Sequence, residues 1–162
     1  MMPRTVAVVQ ARMGSSRFPG KMIARLGAYP LLEWVLRRVR RASSVDAVVL
    51  ATTDSPRDEA LIEIAGRLGV AAYRGSETDV LQRFRDAAEA HRADWIVRVC
   101  ADNPFVDPEE IDHLIHFFSV NSCDYACNHQ DRLGSRYADG FGAEILSSNL
   151  LEAVSEIGRA HV

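Results

Sequence analysis

Three cations and a glycine-serine turn fall within ten residues near the start of the chain. Arg12, Arg17 and Lys21 surround Gly14-Ser15-Ser16, and Pro19-Gly20 shape the approach to Lys21. Glycine permits a tight turn whose successive N–H groups can surround an anion, and the two hydroxyls add donors. Lysine meets phosphate as a point charge, arginine as a two-pronged fork. The pattern suits a polyphosphate; the plainer alternative is a solvated basic loop. It is not a Walker A loop, because five residues rather than four separate Gly14 from Gly20-Lys21, and Met22 stands where Ser or Thr would bind magnesium. Nor is there a G-x-G-x-x-G dinucleotide fingerprint. Further along, Asp102 sits in Ala101-Asp102-Asn103-Pro104. A carboxylate there could anchor a hard cation, or simply make a turn before the proline. Cys123, Cys127 and His129 cluster, but structural zinc wants four ligands at tighter spacing, so no zinc site is expected.

These residues need elements to hold them. Thr5–Ala11, Ala47–Thr53, Ala71–Arg74 and Trp95–Ala101 read as strands without clear polar alternation. Between them lie helical patterns at 30–42, 56–68, 78–91 and 108–118. In the first of these, Leu31, Leu32, Val35, Leu36 and Val39 line one face and arginines fill the other. Gly69 is placed to end the second helix, and Pro108 with two following acids to begin the fourth. Asp124–Asn128 and Phe141–Leu146 read as later strands, and 149–157 as a last helix. Strands of this kind, each followed by a helix, predict a doubly wound α/β fold: a mostly parallel sheet with helices on both faces. Ligands in such folds bind beyond the carboxyl ends of the strands. The basic loop follows the first strand and Asp102 follows the fourth. Polar residues 128–140 read as a loop.

Length and charge narrow the options. The chain has 162 residues, 48% hydrophobic and 25% charged, enough for one domain with a real core. Its net charge of -3 gives no global attraction to nucleic acid or to an anionic membrane. No apolar run approaches the ~20 residues that span a bilayer, so the protein is expected to be cytoplasmic.

The stretch Val8-Val9-Gln10-Ala11-Arg12-Met13-Gly14-Ser15-Ser16-Arg17-Phe18-Pro19-Gly20-Lys21 resembles the opening signature of the cytidylyltransferases that activate acidic sugars. These include the 3-deoxy-manno-octulosonate and acylneuraminate enzymes, and the nearest branch is the spore coat polysaccharide biosynthesis type. The resemblance continues through Ala51-Thr52-Thr53-Asp54, Arg74-Gly75-Ser76-Glu77-Thr78-Asp79-Val80-Leu81 and Arg98-Val99-Cys100-Ala101-Asp102-Asn103-Pro104, and so covers essentially the whole chain.

The resemblance implies a Rossmann-like fold of the nucleotide-diphospho-sugar transferase kind. It implies CTP and an acidic sugar as substrates, Mg2+ as cofactor, release of pyrophosphate and a homodimer. It places Arg12 and Lys21 on the triphosphate, with Ala11, Gly14, Ser15, Ser16 and Arg17 shaping the cradle. Asp102 would hold magnesium. Thr52, Thr53, Arg74 and Ser76 would surround base and ribose, while Asp79 could equally cap the next helix. Asp139 and Glu144 fall where sugar contacts are expected, although relatives often carry an acid where Gly142 stands here. Trp34 and Trp95 read as core. Relatives continue beyond residue 162 and carry a further magnesium-binding aspartate there. The chain is therefore expected to be one nucleotidyltransferase domain, 1–162, truncated at its C-terminus. Two rival readings stay open: a glycosyltransferase using a preformed nucleotide-sugar, and a nucleotide-binding domain without turnover. The first would usually carry Asp-x-Asp where Asp102-Asn103-Pro104 stands.

Overall fold

The computed structural model describes residues 3–14, 17–128 and 140–159. Strand β1 (Thr5–Gln10) leads through the basic loop and a single 3-10 turn at Lys21–Ile23 into a small hairpin, β2 (Arg25–Leu26) and β3 (Tyr29–Pro30). Then come α1 (Leu31–Val39), β4 (Ala47–Thr53), α2 (Glu59–Arg67), β5 (Ala71–Gly75), α3 (Val80–Ala90) and β6 (Trp95–Cys100). The chain continues through α4 (Pro108–Val120), β7 (Tyr125–Cys127), β8 (Glu144–Ser147) and α5 (Ser148–Arg159).

Six strands form the main sheet in the order β5-β4-β1-β6-β8-β7. The pairs β5/β4, β4/β1 and β1/β6 are parallel, and β8 runs antiparallel to both of its neighbours. The chain winds outward from β1 through β4 to β5, then crosses back to place β6 on the other side of β1. The winding reverses between β1 and β6, the switch point where doubly wound folds bind ligands.

Strand alternation sends odd- and even-numbered residues of β1 and β6 to opposite faces. Ala7, Val9, Val97 and Val99 pack beneath α1, α2 and α4 through Leu32, Leu36, Leu61, Ile64, Ile111 and Phe118. Val6, Val8 and Ile96 meet Phe84, Ala87 and Ala88 of α3 and Leu151 of α5.

Helix ends follow local chemistry. Asp107 caps α4 by accepting the Glu109 N–H at 3.0 Å, with Pro108 in the first turn. Asp79 caps α3, accepting the Gln82 N–H at 2.8 Å. Gly69, at φ 65°, ends α2: its N–H bonds Gly66 O, and the Val70 N–H reaches back to Ala65 O at 2.9 Å. Those paired bonds absorb carbonyls that the helix end would otherwise orphan.

The hairpin was not legible in the pattern. It supports Trp34, whose indole donates to Leu26 O at 2.7 Å and meets Tyr29 edge-on. Trp34 is thus only half-buried, beneath the hairpin. Trp95 packs edge-on against Phe118.

Candidate active site

Gly20 adopts φ 72°, a left-handed conformation that glycine takes without penalty. Its carbonyl accepts the N–H groups of Ile23 and Ala24, both at 3.1 Å, closing the turn that holds Lys21. Met22 is buried in the core beside α1. Lys21 is thereby pinned between a glycine turn and an apolar anchor. Its Nζ donates to Asp102 Oδ2 at 3.0 Å. Asp102 follows β6 directly, held by the turn in which Asn103 N bonds Cys100 O.

Loop and strand ends enclose a cavity of about 300 Å³ at the switch point. Arg12, Gly14, Arg17 and Lys21 wall it on the loop side, and Asp102 lies across from them. The floor is the sheet itself, through Gln10, Arg98 and Cys100. Ala11, Met22 and Ala101 complete the lining. Arg12 and Lys21 therefore face one concavity rather than diverging. Arg12 donates to Glu77 O at 3.4 Å, tying the loop to the turn before α3.

The other expected site residues lie elsewhere. Thr52 and Thr53 end β4, fully buried, with both hydroxyls donating to Asp58. Arg74 pairs with Glu59 at 2.9 Å and donates to the carbonyls of Asp54 and Ser55. Ser76 Oγ accepts the Asp79 N–H at 2.9 Å. None of these four lines the cavity. Glu144 on β8 pairs at 2.6 Å with Arg98, which lines the cavity. Ser15, Ser16 and Asp139 lie outside the described residues, as does His129 of the cysteine cluster. Among the described residues no three His, Cys, Asp or Glu side chains gather as a metal site, and Cys123 and Cys127 are free thiols.

Two supports were invisible in the sequence. Asp58, buried before α2, accepts four bonds: from Met13 N at 2.8 Å, Thr52 Oγ1 at 2.9 Å, Thr53 N at 3.1 Å and Thr53 Oγ1 at 2.6 Å. It fastens the basic loop to the end of β4. Burial raises its pKa, but the bonds from Thr53, Met13 and Thr52 outweigh that and hold the carboxyl below its usual value. The second support is Arg83 of α3, fully buried, whose Nη1 donates to Ser76 O. Burial, with the charge of Arg12 nearby, lowers its pKa against the pull of Asp58, Asp79 and Glu77. The floor residues Gln10, Arg98 and Cys100 were also missed. A polar residue inside an apolar strand, on the same parity as Arg12 and Asp102, was the available signal. On that floor, burial pushes the Cys100 thiol up, which keeps it protonated.

A cavity walled by three cations, with one carboxylate facing them, can hold a polyphosphate and a small cation. Comparison with known proteins places the chain in a family. Spore coat polysaccharide biosynthesis protein SpsF of Bacillus subtilis (strain 168) is 37% identical over 154 residues, which is 93% of this chain and 62% of that protein. The 3-deoxy-manno-octulosonate cytidylyltransferase of Anaeromyxobacter sp. (strain Fw109-5) is 38% identical over 116 residues, 70% of this chain and 46% of that one. Among solved structures, a cytidylyltransferase from Leptospira borgpetersenii serovar Hardjo-bovis (strain JB197) superposes with a TM-score of 0.89 at 33% identity, covering 96% of this chain and 65% of that one. This chain thus spans less than two thirds of the length of each of these relatives. The family model described as cytidylyltransferase matches residues 6–152, and the chain belongs to that family.

Proposed function

We propose that the protein transfers CMP from CTP to an acidic sugar, releasing pyrophosphate, in surface polysaccharide or glycan biosynthesis. The observation that carries this reading is the convergence of Arg12, Arg17 and Lys21 on one cavity opposite Asp102. A sugar hydroxyl attacks the α-phosphorus of CTP, the bond to the β-phosphate oxygen breaks, and the hydroxyl proton is lost to water. Negative charge grows on the departing pyrophosphate, and fixed cations with loop N–H groups stabilise it. Arg12 and Lys21 take that role here. Nucleotide binding would separate Lys21 from Asp102, because phosphate oxygens compete for the ammonium.

Asp102 would hold magnesium. A single half-exposed carboxylate at a cavity rim fits an ion that draws its remaining oxygens from phosphate and water. Bound there, the ion would withdraw charge from the phosphates and orient them. Among the described residues no histidine lines the cavity. The names of SpsF and of the 3-deoxy-manno-octulosonate enzyme supply the pathway and the acceptor class in this reading.

The test is calorimetric titration with CTP, UTP, ATP and GTP, with and without magnesium, on wild type and Lys21→Ala. CTP is expected to bind tightest, and Lys21→Ala to weaken it at least tenfold. Equal CTP affinity in the two proteins refutes the phosphate-loop assignment. Pyrophosphate release with a panel of acidic sugars then reports turnover.

A further inference from the structure

The loop cations account for a polyphosphate, but they do not account for Arg98. It lies on β6, four residues before Asp102 and on the same face of the strand. At ~3.3 Å per residue their Cα atoms stand roughly 13 Å apart. Arg98 forms part of the floor on the β6 side, away from the loop that carries Arg12, Arg17 and Lys21. On the opposite side from that loop, β8 sets Glu144 directly across from Arg98 in the antiparallel register.

The pair has a specific geometry. Arg98 Nη1 donates to Glu144 Oε2 at 2.6 Å, and this is the guanidinium's one hydrogen bond among the described residues. The Glu144 side chain is 15% exposed and that of Arg98 38%. The Glu144 side chain is thus tucked away, while that of Arg98 is more open and belongs to a residue lining the cavity. A guanidinium carries five N–H donors in a rigid plane, so a partner on one nitrogen fixes the plane and leaves other donors for a ligand. A planar carboxylate can take two parallel N–H bonds from such a fork, whereas an ester offers no charge and a poorer match. Because Glu144 already balances the charge of Arg98, selection here rests on this two-bond match as much as on attraction.

We propose that Arg98, oriented by Glu144, receives the carboxylate of the acceptor sugar and so selects acidic acceptors. Arg98 is then a specificity residue and Glu144 a positioning residue. This inference rests on the nucleotidyl-transfer reading given above. The competing role is an ion pair that only staples β6 to β8, a cross-strand contact of ordinary kind.

The experiment measures binding of 3-deoxy-manno-octulosonate and N-acetylneuraminate, and of their methyl esters, by calorimetry. The protein is saturated with magnesium and a CTP analogue whose α,β-bridge is methylene. Wild type, Arg98→Lys and Arg98→Met are compared, and the lysine variant keeps the charge and the ion pair while losing the fork. Wild type is expected to bind at least one acid tenfold or more tighter than its ester. Both variants are expected to reduce that preference below threefold, each measured at an analogue concentration shown to saturate it, with Arg98→Lys within a few degrees of the wild-type melting temperature. Retention of the tenfold preference in both variants overturns the proposal and leaves the staple. So does a wild type that binds the analogue but does not distinguish acid from ester, with nucleotide binding untouched. Failure of wild type to bind the analogue at all removes the nucleotidyl-transfer reading first, and this inference with it.

Discussion

Replacing Asp58 by alanine removes one acceptor and strands four donors at once. Two are backbone N–H groups, of Met13 and Thr53, which cannot turn toward water. The other two are the hydroxyls of Thr52 and Thr53, which can rotate in search of a new acceptor. An orphaned donor in such a place costs about 1–3 kcal/mol. Counting the two fixed donors in full and the hydroxyls lightly gives a loss of about 3 kcal/mol. With a urea slope of about 2 kcal/mol per molar, the unfolding midpoint should fall by about 1.5 M. Asp58→Asn retains the shape and part of the accepting capacity, and should fall less. The pH dependence has a definite sign. Folded Asp58 titrates below its ordinary 3.8, so the folded chain binds fewer protons than the unfolded chain as acid is added. Its contribution is complete above about pH 5 and is lost as pH falls through the folded value. The gap between wild type and Asp58→Asn should therefore narrow in that acid window and stay constant above it. A midpoint shift under about 0.3 M for Asp58→Ala, or a gap that widens with acid, refutes the idea that this carboxylate fastens the loop to β4.

Asp102→Asn should abolish any enhancement of CTP binding by magnesium. Without metal it should bind CTP at least as well as wild type, because Lys21 no longer has a charged carboxylate to leave; titrations with magnesium and with a chelator decide this. Gly69→Ala has ample room for its new methyl but must hold φ near 65°, so thermal unfolding should report a loss of about 1–2 kcal/mol from backbone strain alone.

The alternation of strand and helix was readable because burial on both faces leaves a long apolar signature. The limits of Ala47–Thr53 were read to the residue. Gly69 and the Pro108 start were legible because helix ends obey rules of a few neighbouring residues. What escaped was long-range or very short. The strands of the hairpin have two residues each, too few to show a period. Asp58 looked like one more acid ahead of a helix, since nothing in Pro56-Arg57-Asp58 shows that Met13, forty-five residues earlier, donates to it. Arg83 had the same disguise on α3. The expected base-side residues Thr52, Thr53, Arg74 and Ser76 spend their side chains on Asp58, Glu59 and Asp79.

One face of the sheet explains where the cavity is. From Ala7 and Trp95 onward, the odd-numbered residues of β1 and β6 stay apolar past the strand ends, through Ala11 and Ala101, because helices cover that face. On the even-numbered face the same strands change character midway: Val6 and Val8 give way to Gln10 and Arg12, and Ile96 gives way to Arg98, Cys100 and Asp102. The apolar half lies under Phe84, Ala87, Ala88 and Leu151, whereas among the described residues none of α3 or α5 lines the cavity. A side chain left uncovered at a strand end gains nothing from being apolar and is available for chemistry. The polar residues thus begin where the helices stop. Lengthening that cover should close the site without disturbing the opposite face.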